Sequence, residues 1–189
     1  KQYKGEKETN LDKFVAAFDD GKKGTKKFLM TSDKLTLTNS RFVLHDYNRE
    51  NPKDVDFTNL NVSASNFKVY GPDVTTNINS MTFKDHRGLV VEDLKSKFTY
   101  TKTNIRLEEL NFKTKESSFD GEVILKYNRK DFANFNNKVV FDITTNKAEI
   151  ASNDIRYFYN ELGKNRIFKL KGKIDGTLNN LTAKNLQLI

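Results

Sequence analysis

Apolar and polar residues alternate with period two from about Leu35 to the last residue, as in Leu35-x-Leu37, Val62-x-Ala64, Phe98-x-Tyr100, Ile105-x-Leu107, Val123-x-Leu125-x-Tyr127 and Val139-x-Phe141-x-Ile143. A β-strand that is dry on one face and wet on the other has this pattern, because successive side chains point to opposite faces. The pattern predicts strands near 27–31, 34–45, 57–70, 74–84, 89–101, 104–114, 117–127, 137–145, 147–151, 166–177 and 180–188. Asn51-Pro52-Lys53-Asp54, Gly71-Pro72-Asp73, Asp85-His86-Arg87-Gly88 and Thr101-Lys102-Thr103-Asn104 supply turn residues between them. Both prolines of the chain sit in these turns, which leaves the strand interiors free to complete their ladders. Short connections throughout predict one long antiparallel sheet.

Some predicted strands change phase at an acidic or amide residue followed by Leu: Asn59-Leu60, Asp93-Leu94, Glu109-Leu110, Asn180-Leu181 and Asn185-Leu186. A slip of one residue sends every later side chain to the other face, so a bulge or corner is needed at each. Repeated corners fold the strands over and predict a trough in place of a flat sheet. Gly121, Gly172 and Gly176 fall inside strands and are read as kinks or bulges.

Two helical patterns interrupt the alternation. Thr9 or Asn10 can cap a helix carrying Leu11, Phe14, Val15 and Phe18 on one face, with Gly21 as its stop. Residues 1–8 read as a charged, structureless lead-in, and Lys22 to Lys27 as a flexible basic connector. Asn153-Asp154 precedes Ile155, Phe158, Tyr159 and Leu162, which predicts a short helix near 154–162 that covers apolar surface. The expected organisation is an N-terminal helix and connector over 1–33 and a sheet over 34–189. The start at Lys1 and the stop inside an alternating pattern read as a piece of a longer chain.

Composition narrows the chemistry. With 36% hydrophobic residues but 15 Phe and 7 Tyr in 189 residues, the chain suits a thin sheet with one buried side and not disorder. The absence of cysteine excludes disulfides, thiolate metal sites and cysteine nucleophiles. The net charge of +8 comes mainly from Lys in the polar phase of strands, read as a solvated outer face. In Lys97-Phe98-Thr99-Tyr100 the aromatics and lysines take opposite parities, so they point apart and argue against nucleic-acid binding. His45 beside Asp46 and His86 beside Asp85 fail as dyads, since adjacent strand residues face opposite ways; Glu108-Glu109 fails likewise. No catalytic motif or metal-ligand spacing stands out, and the reading is of a non-enzyme without cofactor or metal.

A series of short motifs carries a family resemblance: Asp56-Phe57-Thr58-Asn59-Leu60-Asn61-Val62, Ile78-Asn79-Ser80-Met81-Thr82-Phe83-Lys84-Asp85-His86-Arg87-Gly88-Leu89 and Leu94-Lys95-Ser96-Lys97-Phe98-Thr99-Tyr100. It continues through Leu110-Asn111-Phe112-Lys113-Thr114-Lys115-Glu116-Ser117, Asp154-Ile155-Arg156-Tyr157-Phe158 and Gly172-Lys173-Ile174-Asp175-Gly176-Thr177-Leu178-Asn179-Asn180-Leu181. In this order they resemble a middle segment of the TamB proteins, translocation and assembly modules of the AsmA-like superfamily. The resemblance implies a periplasmic, bridge-like parent, anchored in the inner membrane and reaching an outer-membrane barrel of the TamA type. It also implies a U-shaped β-taco whose apolar groove carries phospholipid acyl chains. The expected groove lining is Val62, Ile78, Leu89, Val91, Phe98, Tyr100, Ile105, Leu107, Val123, Leu125, Val139, Phe141, Ile143, Leu170 and Ile174. The same residues would form an ordinary core if a second sheet layer closed over them, as in a secreted β-sandwich that binds glycan or protein.

Overall fold

The computed structural model describes residues 1–10, 13, 28–48, 50, 53–128, 131, 134–158 and 162–188. Nine strands form one sheet: β1 (Leu29–His45), β2 (Lys53–Tyr70), β3 (Asp73–Asp85), β4 (Val90–Tyr100), β5 (Asn104–Thr114), β6 (Ser118–Lys126), β7 (Val140–Ala151), β8 (Ile167–Thr177) and β9 (Asn180–Leu188). Each strand pairs antiparallel with its neighbours in sequence, and the order across the sheet is β1 to β9 without a crossover. The sheet is curved and does not close on itself. Two four-residue helices accompany it, α1 (Phe135–Lys138) and α2 (Ser152–Ile155).

The predicted strands are present, with two fusions. The predicted segments 27–31 and 34–45 merge in β1, and 137–145 and 147–151 merge in β7, except that Asn137 and Lys138 belong to α1 instead of the strand. The sheet therefore starts at Leu29, five residues before the expected boundary. The N-terminal helix face of Leu11, Phe14, Val15 and Phe18 lies outside the described residues. Residues 1–8, read as structureless, instead place Gln2 beside the end of β1. Its N–H donates to the His45 carbonyl at 2.7 Å, its carbonyl accepts from Tyr47 N–H at 2.9 Å, and Tyr3 stacks on Tyr47.

Four of the five predicted phase changes coincide with shifts in strand register. Asn59, Glu109 and Asn185 adopt positive φ (51°, 50° and 52°), and the β4–β5 ladder slips between Val91 and Asp93. Asn180-Leu181 does something else: it opens β9 directly after the β8–β9 turn, paired with Thr177 and Gly176. Asn39 and Asn66, at φ 45° and 53°, are two further bulges.

Most of these irregularities line up across the strands. The β1–β2 ladder slips between Leu37 and Ser40, β2–β3 between Thr58 and Asn61, and β5–β6 between Leu107 and Leu110. The β6–β7 slip is at Gly121, the β7–β8 slip between Thr145 and Ala148, and the β8–β9 slip between Lys171 and Lys173. The β3–β4 ladder keeps one register but is unpaired between Ile78 and Phe83. A bulge bends its strand and tightens its twist, so this row forms a crease with one arm of the sheet on each side. Gly121 is required there by space, because a Cβ would stand 2.1 Å from the Thr144 carbonyl oxygen.

The wet face carries cross-strand ion pairs. Lys126 meets Asp142 and Lys184 meets Asp175, both at 2.7 Å, and Lys169 meets Glu149 at 3.7 Å. The hydrogen bonds that Lys184 donates to Asp175 and Lys97 donates to Glu109, together with the carboxylate charges, raise the pKa of both ammonium groups above its ordinary value. These pairs are solvated and add little to stability. Charged rows of this kind on the outer face discourage edge-to-edge and face-to-face association.

Candidate functional site

Residues paired across antiparallel strands share a face, so the register can be followed as rows over the dry side. One row runs over all nine strands: Met30, Val69, Val74, Tyr100, Ile105, Leu125, Phe141, Gly176 and Leu181. A parallel row runs Phe98, Leu107, Val123, Ile143, Ile174 and Ala183 from β4 to β9. Across the crease, Leu94, Phe112, Phe119, Ala148 and Leu170 form a third row. The bulges account for this continuity. Without the extra residue at Glu109, Leu107 and Leu110 would face opposite ways; with it, both face the trough.

The rows are not covered like a core. Of the fifteen expected lining residues, Val62, Ile78, Leu89, Phe98, Tyr100, Ile105, Leu107, Val123, Leu125, Phe141, Ile143, Leu170 and Ile174 are half-buried. Only Val91 and Val139 are fully buried, at 1% and 0% exposure. Val139 precedes β7, where its N–H donates to the Phe135 carbonyl of α1; Leu89 closes the β3–β4 turn by accepting from Asp85 N–H at 2.8 Å. The described residues contain one sheet and two short helices, and no second layer faces the rows. Row members at the outer strands are the most open, with Met30 46% and Leu181 47% exposed.

Several lining positions are not in the expected set: Met30, Val69, Val74 and Leu181 in the long row, and Phe112 and Phe119 beyond the crease. Phe112 follows Leu110 at the spacing that the Glu109 phase change restarts, so the signal was present in the sequence.

The two strand-end rims are built differently. On one, α1 leans over the dry side, with the Phe135 ring edge-on to Phe141 at 5.9 Å. Asn179 in the β8–β9 turn donates from its backbone N–H to the Asn136 carbonyl and from its side chain to Asn137, tying the helix down. On the opposite rim, α2 begins where β7 ends, two residues earlier than expected, and gives way to a turn at Arg156. The expected continuation at Tyr159 lies outside the described residues, while Leu162 lies beyond α2. The Thr114 and Ser117 hydroxyls both donate to Asp154 Oδ2, at 2.6 and 2.5 Å. Tyr157 rests on Gly88, where a Cβ would stand 2.9 Å from Cε1, and Arg87 lies 5.0 Å over the Phe158 ring. This segment runs back along the rim from β7, past the β5–β6 turn, to the β3–β4 turn.

The histidines differ in part from expectation. His86 Nδ1 does approach Asp85 Oδ2, at 3.4 Å, because the pair lies at a turn where strand alternation no longer separates neighbours. Asp85 also accepts from the Arg87 backbone N–H at 2.9 Å and from its guanidinium, which makes it the lock of that turn. His45 contacts the Tyr47 hydroxyl at 3.3 Å through Nδ1. On the outer strands, the fork of Arg41 grips the buried Asp56 carboxylate with two bonds of 2.8 Å, which raises the Arg41 pKa. Among the described residues no three His, Asp or Glu side chains are placed to hold a metal ion, and no helix is long and apolar enough to cross a membrane. Comparison with protein-family models, with curated proteins and with solved structures returned no match.

Proposed function

We propose that this chain is a segment of a bridge-like lipid-transfer protein of the TamB type, and that its dry trough carries phospholipid acyl chains between the inner and outer membranes. The supporting observation is the apolar row that crosses all nine strands and stays mostly half-buried, with no covering layer among the described residues. Acyl chains gain roughly 25 cal/mol per Å² of apolar surface removed from water. A surface of that kind holds them without directional contacts, which suits sliding along the rows better than fixed storage. The wet face, with its paired charges, keeps the outside of the trough in solvent.

In this reading the parent is periplasmic and inner-membrane anchored, and a TamA-like barrel is its outer-membrane partner through other parts of the protein. The sandwich alternative needs a second sheet over the same residues, and the described residues offer none.

A photo-crosslinking residue at Phe98 or Val123 in cells is expected to give phospholipid adducts, and the same residue at Lys97 or Lys126 is expected to give none. Equal labelling of both faces, or no adduct from either apolar position, defeats the conduit. Val123→Asp and Phe141→Asp are expected to abolish adduct formation from Phe98 while the far-ultraviolet strand spectrum stays unchanged. Loss of that spectrum would instead identify the rows as a closed core.

A further inference from the structure

We propose that the rim beside α2 is a docking site for the anionic phosphate headgroup of the amphiphile whose chains lie in the trough; the proposal rests on the groove reading above. Asn153, Arg156, Tyr157 and Lys164 line a shallow depression of about 330 Å³ at this rim. Arg156 and Lys164 are the cations there, and neither has a carboxylate partner among the described residues. That sets them apart from the lysines of the wet face, several of which meet carboxylates on the same or a neighbouring strand.

The frame around the two cations is held in place. Asn153 Nδ2 donates to Glu116 Oε2 at 2.8 Å and to Asn165 Oδ1 at 3.1 Å, and its Oδ1 accepts from the Asn165 N–H at 3.1 Å. Ser152 N–H donates to the Arg166 carbonyl at 2.8 Å, and Ser152 Oγ accepts from Arg166 N–H at 3.0 Å, which closes the loop that carries Lys164. Tyr157 is seated on Gly88. Among the described residues, Asp154 is engaged by the Thr114 and Ser117 hydroxyls, and Glu116 accepts from Asn153. Arg156, Lys164 and Tyr157 thus bring a guanidinium, an ammonium and a phenol to the lining of one open concavity, a donor set matched to phosphate oxygens.

The place of the depression supplies the link to the trough. α2 starts at the end of β7, and Ala148 of the dry row lies four residues before Ser152, about 13 Å along an extended strand. One acyl chain reaches about 15 Å, half of a bilayer's hydrocarbon core. A lipid held at the rim by its phosphate therefore has chains long enough to reach Ala148, Leu170 and Phe119.

The test is titration of the 189-residue chain with dilauroyl phosphatidylglycerol, whose chains span the distance from the rim to the dry row, with dilauroylglycerol lacking the phosphate, and with inorganic phosphate. It is repeated on Arg156→Gln/Lys164→Gln and on Lys173→Gln as a wet-face control. The expected result is a preference of about tenfold for the phosphatidylglycerol over the phosphate-free lipid, lost in the double variant, kept in the control and weakened by salt. Equal binding of both lipids to the unaltered chain, or a preference that survives in the double variant, overturns the headgroup site and leaves the groove standing. Binding of neither lipid overturns the groove as well. If inorganic phosphate then still binds and the double variant abolishes it, the depression is a free-anion site and the headgroup assignment fails.

Discussion

The irregular backbone of this sheet rests on a few residues held at positive φ. Asn59 is one of them, with φ 51° and an exposed side chain. Asparagine tolerates the left-handed region, and a β-branched residue does not. Asn59→Val is expected to lower unfolding free energy by about 1–2 kcal/mol, and Asn59→Gly to leave it unchanged within a few tenths of that, both read from urea denaturation. The position was visible in the sequence because the apolar parity changes there. The same signal exists at Asn39, where Leu35 and Leu37 give way to Phe42 and Leu44, and at Asn66, where Val62 and Ala64 give way to Phe67 and Val69. Runs of Ser, Thr and Asn around both positions mask the parity, since a polar side chain reports neither face.

At the scale of elements, the rim segment hangs on a hydroxyl cluster. Ser117 is 5% exposed; its Oγ donates to Asp154 and accepts from the Ala151 N–H at 3.0 Å. Ser117→Ala strands the Ala151 N–H, while Asp154 keeps the Thr114 hydroxyl, and a buried group left without its bond costs about 1–3 kcal/mol. The variant is expected to lose that much stability and to speed amide exchange at Ala151, while exchange in the middle of β5 and β6 stays slow. Unchanged exchange at Ala151 would mean that α2 is held by its packing alone. The strand ends were legible to within about four residues, because alternation is a local property of each. The two fusions were not: Ser32 and Asp33 in β1, and Asn146 and Lys147 in β7, look like turn residues. Pairing to β2 carries the chain through Ser32 and Asp33, and in β7 the ladders to β6 and β8 resume at Lys147 and Ala148 after the slip that belongs to the crease.

At the scale of the molecule, the fully buried apolar side chains among the described residues are few and mostly small, while the longest apolar row is half-buried, with its outer members Met30 and Leu181 exposed. A contrast of truncations distinguishes the two kinds of surface. Val91→Ala, at a site 1% exposed, is expected to cost about 2–3 kcal/mol. Val123→Ala, in the middle of the trough, is expected to cost about 1 kcal/mol or less, because part of what it removes already faces water. Thermal or urea unfolding of the pair decides this: equal and large losses would place Val123 in a closed core.

The sequence by itself determined the class of structure, the faces of each strand and most of the positions where that face had to be restored. These follow from the period-two geometry of an extended chain and from the backbone preferences of Asn, Gly and Pro, all of which act within a few residues. Only the tertiary structure decided which residues became neighbours. Rows such as Leu107, Val123, Ile143 and Ile174 exist because every ladder took one register, and the slips of successive ladders fell beside one another as a crease. Whether a dry face meets another layer depends on contacts between segments far apart in the chain, and alternation is blind to them. It reads the same under a second sheet and over an open trough.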